Sequence, residues 1–325
     1  MLVHFRLTVP ADLSDAVRDL LVAHECSTNV TLQAGAVLDP PGDLLEADVA
    51  RERAGELLAL LHDLGLEERG GIVLTTPSGT PFARARSLEA RAPGHPDDAV
   101  IWDSVEAQAE AGSVPTISFH VFLVLAVALA AIAVITDSAV LVVGAMVVGP
   151  EFSAIAAVSA GLVLARWGLV GRSLRLLLLS FVFAVAVVTA LALVGRAAGA
   201  ITLDDVVRAR PNTGFIWHPD RWSFIVALLA GAAGALALAI ERSATMVGVF
   251  ISVTTVPAAG NLALGLAFTD GGEIRGSLAQ LGANIAGMVV AGALLLLLVR
   301  TSWPWLAARS ERLFGQRAAQ SDGAR

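Results

Sequence analysis

The chain contains no tyrosine and no lysine, one cysteine, and little charge: Asp, Glu, Lys and Arg together make up 16% of its 325 residues. A soluble globular domain is about a quarter charged, so an ordinary cytosolic enzyme is excluded. The lone Cys26 excludes an intrachain disulfide framework and any multi-cysteine metal centre. With lysine absent, all 22 basic residues are arginine. Together with the heavy use of Ala and Gly, this reads as a GC-rich bacterial genome. The N-terminus lacks the basic region and apolar run of a signal peptide. No H-E-x-x-H, G-x-S-x-G or phosphate-loop motif occurs, so the expectation is a protein that is not an enzyme and needs no cofactor.

What is abundant is apolar surface. Hydrophobic residues make up 56% of the chain and the mean hydropathy is +0.72, which points to an integral membrane protein. Charge divides the chain in two. Residues 1–112 hold 8 Arg against 19 acids, and residues 113–325 hold 14 Arg against 10 acids. The acidic first part argues against nucleic acid as a partner and against docking on anionic lipid.

In residues 1–80 the hydrophobic period switches between two and 3.6. Strands are predicted at Leu2–Val9, Asn29–Leu38, Leu44–Ala50 and Gly71–Thr76. Helices are predicted at Asp12–Glu25 and Arg51–Leu64, and a turn at Asp39–Asp43. The order β-α-β-β-α-β is that of a ferredoxin-like α+β unit, which does not by itself define a function. The plain reading is a folding and oligomerisation module, and a ligand sensor is the alternative. His4, His24 and His62 lie on three separate elements, and a metal trio is the lesser reading of them. Residues 81–116 read as a linker, Arg-, Ala- and Pro-rich to Pro96. An amphipathic helix ending at Gly112 follows, at the cytoplasmic membrane surface, its acidic face suited to protein.

Residues 117–299 form the transmembrane domain, with a cytoplasmic tail at 300–325. Six apolar segments are long enough to span a bilayer: Ile117–Ile135, Ser138–Ala165, Leu176–Val194, Trp222–Ile240, Ser243–Phe268 and Leu278–Val299. Arg166, Arg172, Arg175 and the arginines of the tail fall on one side, which the positive-inside rule assigns to the cytoplasm. Both termini are then cytoplasmic, and the protein is a multi-pass protein of the cell inner (plasma) membrane. The loop Gly195–Arg221, with four Arg, is the awkward point for this topology.

The second and fifth segments are interrupted, by Gly149-Pro150 and by Pro257 and Gly260. Both begin Ser-Ala, reach Val-Gly, and break at proline. Each is the middle member of three segments, so the expected fold is a 3+3 inverted repeat of six spans with two broken helices. Such paired breaks point to the midplane site of a transporter, because unpaired backbone groups survive in lipid only where something satisfies them.

Glu151 follows the first break in an otherwise uncharged stretch. A carboxylate at that depth costs about 2.5 kcal/mol or more. It is either protonated or meets a cation, water or donors from another helix. It could also simply cap a half-helix. Its candidate partners are Ser153, Thr254, Thr255, Asn261 and Asn284. These uncharged oxygen-bearing side chains suit cations or polar solutes, and equally suit packing between helices.

The motifs Gly144-Ala145-Met146 leading to Pro150, Ala230-Gly231-Ala232-Ala233-Gly234-Ala235-Leu236-Ala237, and Val247-Gly248 leading to Pro257 resemble a known family. This is the bacterial and archaeal uncharacterised hydrophobic domain, domain of unknown function 389. The likeness covers about Val114 to Val299. Many members carry Ser at Gly149 and a second proline at Ala258, and Glu151 resembles the actinobacterial type. The resemblance implies a multi-pass membrane protein and no specific activity.

The functional expectation is therefore a gradient-driven transporter or channel for a small ion or polar solute. Its site comprises Gly149, Pro150, Glu151, Ser153, Thr254, Thr255, Pro257, Asn261 and Asn284, without a resident metal. Its expected partners are the lipid bilayer, the small ion or solute, and copies of itself in a homo-oligomer. The alternative is a non-transporting regulatory or sensory membrane protein acting through its ferredoxin-like domain.

Overall fold

The computed structural model describes residues 1–92, 99–218, 220–240 and 254–314, the last with side chains to Ser302. The chain divides into two compact units, residues 1–103 with 301–325, and residues 104–300.

The first unit is a four-stranded antiparallel sheet with helices. The strands are β1 (Leu2–Val9), β2 (Ser27–Leu38), β3 (Pro41–Ala50) and β4 (Gly71–Thr75). They lie in the order β2-β3-β1-β4, every neighbour antiparallel. Helices α1 (Ser14–Ala23) and α2 (Arg51–Asp63), with the short α3 (Leu66–Arg69), make the connections. Alternation decides the sheet's inner face: Val3, Phe5, Leu7 and Val9 of β1 are buried with Leu45, Ala47 and Val49 of β3. Ala54, Leu57, Leu58 and Leu61 line one side of α2, at the helical spacing that makes a continuous stripe, and Val17 and Leu21 do so on α1. The expected turn at Asp39–Asp43 shrinks to Asp39 and Pro40, because both strands run on.

The boundary expected at residue 80 is too early. Residues 83–91, read as linker, form helix α4 (Ala83–Arg91). Its Ala85 and Leu88 are buried with Leu2, Cys26, Ala50 and Ala92. Only two residues of that helix are buried, so its Arg-rich remainder hides the pattern. Ile101 also belongs to the core of this unit, and the Arg51 side chain donates to the Ala99 carbonyl.

The second unit is helical. Helix α5 (Trp102–Gly112) buries Val105 and Ala109. Its acids meet arginines, as Glu106 pairs with Arg166 at 2.6 Å and Glu110 with Arg172 at 3.5 Å. Among the described residues, four helices are long and apolar enough to cross a membrane: α6 (Ile117–Ile135), α9 (Trp167–Ala197), α11 (Arg221–Ala239) and the part of α13 (Gly271–Phe314) up to Ser302. The pair α7 (Ala139–Val148) and α8 (Glu151–Val163), bent by 56° at Gly149-Pro150, makes a fifth if the two count as one span. Helix α12 (Thr255–Phe268) is apolar but short. The first half of the expected fifth segment, residues 243–253, lies outside the described residues. The short α10 (Leu203–Val207) lies in the loop between α9 and α11, and Thr202 and Asp205 close a capping box on it.

Pro257 and Gly260 do not divide α12. Pro257 sits in its first turn, where a missing N–H costs nothing, and Gly260 lies in the body of the helix. A Cβ on Gly260 would stand 2.7 Å from Ala131 N, so this glycine lets α12 lie against the backbone of α6. Helix α12 also packs on α9, while α8 packs on α9 and α11. Ser159 on α8 donates to the Val289 carbonyl of α13 at 3.3 Å.

Several helix ends in this unit are closed by side chains. Thr116, Ser138 and Asp220 accept from the backbone of the first turns of α6, α7 and α11, satisfying N–H groups that have no helical partner. Three arginines close C-terminal ends, where carbonyls are unpaired and the dipole favours a cation. Arg208 donates to the Ile135 carbonyl, Arg196 to that of Ala267 and Arg300 to that of Val163.

Candidate functional site

The starts of α8 and α12 meet. Helix α8 starts at Glu151 with Pro150 as its N-cap, and α12 starts at Thr255 after Thr254. Glu151 is 7% exposed and Thr255 1%. The Thr255 hydroxyl donates to Glu151 Oε1 at 2.8 Å. The second oxygen, Glu151 Oε2, is buried without a hydrogen-bond partner among the described residues. A buried carboxyl with one oxygen unsatisfied is an uncommon arrangement, and it sits where the dipole of α8 favours negative charge.

Gly149 gives that oxygen its place. A Cβ on Gly149 would lie 2.3 Å from Glu151 Oε2 and 2.7 Å from Val256 Cγ2. The carboxyl thus folds back over the break rather than away from it. Pro150 supplies a carbonyl that accepts from the Ser153 hydroxyl at 2.9 Å. Ser153 therefore serves the turn and has no recorded bond to Glu151.

Thr254 lies next along the chain to Thr255 but has its own partners. Its Oγ1 accepts from Asn284 Nδ2 at 2.8 Å and from Gln280 Nε2 at 2.9 Å. Gln280 Oε1 is a second buried oxygen without a donor. A cavity of about 270 Å³ reaches Thr254 and Asn284 from Phe215, Asp220 and Trp222.

Asn261 belongs to a different cluster. Its Oδ1 accepts from Arg210 Nη1 at 2.7 Å, and its Nδ2 donates to Glu273 Oε2 at 2.6 Å and Ser277 Oγ at 2.8 Å. Arg210 also donates to Glu273 Oε1. The side chains of this ion pair are 2% and 5% exposed. Glu151 is therefore not the only buried acid of this unit. Arg210 neutralises the other one and closes its hydrogen bonds, which is what a buried pair requires.

Of the sequence-derived residues, the structure joins Glu151, Thr255 and Gly149 at one point. It joins Thr254 and Asn284 beside it and keeps Asn261 in the Arg210 cluster. Pro150 caps the start of α8, and Pro257 lies in the first turn of α12. Four residues escaped sequence reasoning: Arg210, Glu273, Ser277 and Gln280. A signal for three of them existed. Glu273, Ser277, Gln280 and Asn284 recur at helical spacing and make one polar stripe on α13, all four buried. Arg210 sits in a loop and carries no periodic signal.

The histidines do not gather. His4 bonds Asp48 at 2.9 Å, and His62 stands 3.5 Å from Glu67. Among the described residues no group of three His, Cys, Asp or Glu side chains is placed to hold a metal.

No curated protein and no solved structure matches the chain. Residues 146–290 match the model of a domain of unknown function (DUF389). That stretch runs from Met146, ahead of the first break, to Val290 on α13, and so contains every residue of the buried polar clusters. The chain thus resembles the uncharacterised DUF389 domain over residues 146–290, somewhat less than half of its length.

Proposed function

We propose that this protein is a gradient-driven membrane transporter or channel for a small ion or polar solute, with Glu151 as the ionisable group of its site. One observation carries the reading. A carboxyl is buried where the starts of α8 and α12 meet, bonded by Thr255 on one oxygen and, among the described residues, by nothing on the other. An isolated charge buried at membrane depth is costly, which favours a functional role over packing alone. A proton or a desolvated cation on Glu151 Oε2 removes that cost. The uncharged oxygens of Thr254, Thr255 and Gln280 suit the same cargo. A single acid without a matching base favours a proton or a monovalent ion over a divalent one.

The reading includes six spans in a 3+3 inverted repeat. The support is reciprocal packing: α12 of the second set lies on α6 and α9, and α8 of the first set meets α11 and, through Ser159, α13. Residues 243–253 would complete the sixth span. Both termini are placed in the cytoplasm of a bacterial cell, with the protein in the inner membrane. Three of the four arginines between residues 195 and 221 are matched within the protein, which weakens their objection to this orientation. Arg210 is matched by Glu273, and Arg196 and Arg208 donate to helix-end carbonyls. The N-terminal unit is read as ferredoxin-like from its strand order and antiparallel pairing, and as a contributor to a homo-oligomer.

The test is flux. The purified protein is reconstituted into liposomes, and uptake is measured against imposed gradients of H⁺, Na⁺, K⁺ and Cl⁻. Uptake of one cation above that of empty liposomes supports the reading. No flux for any member of the panel, from protein shown to be folded, counts against it.

A further inference from the structure

The N-terminal unit holds a cavity of its own, about 420 Å³, within the range of small-ligand sites. It lies between the end of α1 and one face of α2. Leu20 and Ala23 of α1 and Leu60 of α2 supply an apolar side, and His24 and Arg53 supply nitrogen donors. Two polar atoms of these residues are buried and have no partner: His24 Nδ1 and Arg53 Nε. Nη1 of the Arg53 guanidinium donates to Glu56. Arg53 Nε is always a donor, so only an acceptor can satisfy it. Burial holds the His24 imidazole below its usual pKa, so it is neutral at neutral pH and can donate one hydrogen bond.

The charge around the cavity narrows the ligand. Glu25 and Glu56 both line it. Two acids repel a phosphate dianion. Glu56 is matched by Arg53, which leaves Glu25 able to take a cationic group. A ligand therefore needs one carboxylate, one ammonium and an apolar body.

We propose that this cavity binds a free amino acid with an apolar side chain. Its carboxylate would accept from Arg53 Nε and His24 Nδ1, its ammonium would face Glu25 and Glu56, and its side chain would lie on Leu20, Ala23 and Leu60. The site stands independently of transport in the membrane unit. If that unit carries flux, the amino acid becomes its regulator rather than its cargo.

Calorimetry on the full chain in detergent micelles tests this, with leucine, isovalerate and isopentylamine as probes. Leucine is expected to bind, and the two half-ligands to bind at least about tenfold more weakly. Arg53→Gln is expected to weaken leucine binding by about tenfold or more. Arg53 is partly exposed, so this variant should fold, and His24→Gln gives a second, independent loss. Cys26 lines the same cavity and is the chain's one thiol, so leucine should also slow its alkylation by iodoacetamide. Absence of leucine binding, isopentylamine binding as tightly as leucine, or unchanged binding by Arg53→Gln would each overturn the proposal.

Discussion

Thr255 and Glu151 stand 104 residues apart in sequence, and the hydroxyl of the first donates to the carboxyl of the second at 2.8 Å. This bond ties the start of one half-helix to the start of the other. Thr255→Val keeps the shape and removes the donor. It leaves both carboxyl oxygens of Glu151 unpaired, which costs about 1–3 kcal/mol. Thr255→Ser should retain most of that stability. Thermal unfolding in detergent, read for both variants, checks the pair. Equal melting temperatures for Val and Ser would deny the bond a stabilising role.

Gly149 and Glu151 should be coupled. Gly149→Ala places a methyl in the position of Glu151 Oε2 and is expected to lower stability. The same substitution in a Glu151→Ala background meets less obstruction, so the loss should shrink. A double-mutant cycle on melting temperature measures the difference, and additive effects would show that Gly149 is needed for something other than the carboxyl.

Arg210 and Glu273 are expected to behave as a buried pair. Arg210→Met strands an acid among helices and should cost about 3–5 kcal/mol. Arg210→Met combined with Glu273→Leu removes both charges and should recover much of the loss. If the double variant is no better than the single one, the loop around Arg210 is held by other contacts.

These clusters also show what sequence reveals and what it conceals. The broken second segment, its bend at Gly149-Pro150 and the isolation of Glu151 were legible, because proline and a lone acid are local signals. The partnership with Thr255 was legible only as a choice among five residues, since contact between distant segments leaves no trace in one sequence. Pro257 and Gly260 lie within α12 and do not interrupt it: a glycine that serves close packing against Ala131 looks the same in sequence as one that ends a helix. Arg210 was invisible. Nothing in a loop rich in Arg and Asp distinguishes the arginine that turns inward. The soluble sheet was readable from its alternation, and its last helix was not, because only Ala85 and Leu88 face the core.

That helix sets a prediction about the domain boundary. A fragment of residues 1–80 exposes Leu2, Cys26 and Ala50, which α4 otherwise covers, and loses Ile101 from the core. A fragment of residues 1–103 should therefore melt higher than residues 1–80, as read by circular dichroism. Equal melting would mean that α4 and Ile101 add nothing to the fold.

Asp137 should set part of the acid sensitivity of the membrane unit. It lies in the turn between α6 and α7, at φ +49°. Partial desolvation pushes its pKa up. Hydrogen bonds from Thr213 and from Asn212 outweigh this and hold it below the usual carboxylate value. A lowered folded pKa stabilises the fold above the unfolded pKa, and that contribution is lost as pH falls through the folded one. Asp137→Asn should therefore flatten the acid limb of a stability profile taken from neutral pH downward. An acid limb as steep as that of the wild type would assign the effect to other carboxyls.

The central claim is that the Glu151 carboxyl holds the transported charge. Glu151→Gln preserves size and the acceptor that Thr255 needs, and removes only ionisation. The most direct measurement is the initial rate of cation- or proton-driven uptake into proteoliposomes by wild type and by Glu151→Gln, at matched protein content and fold. The account predicts that the wild type transports and that the glutamine variant falls to the rate of empty liposomes. A glutamine variant that transports at the wild-type rate, with unchanged pH dependence, would contradict it.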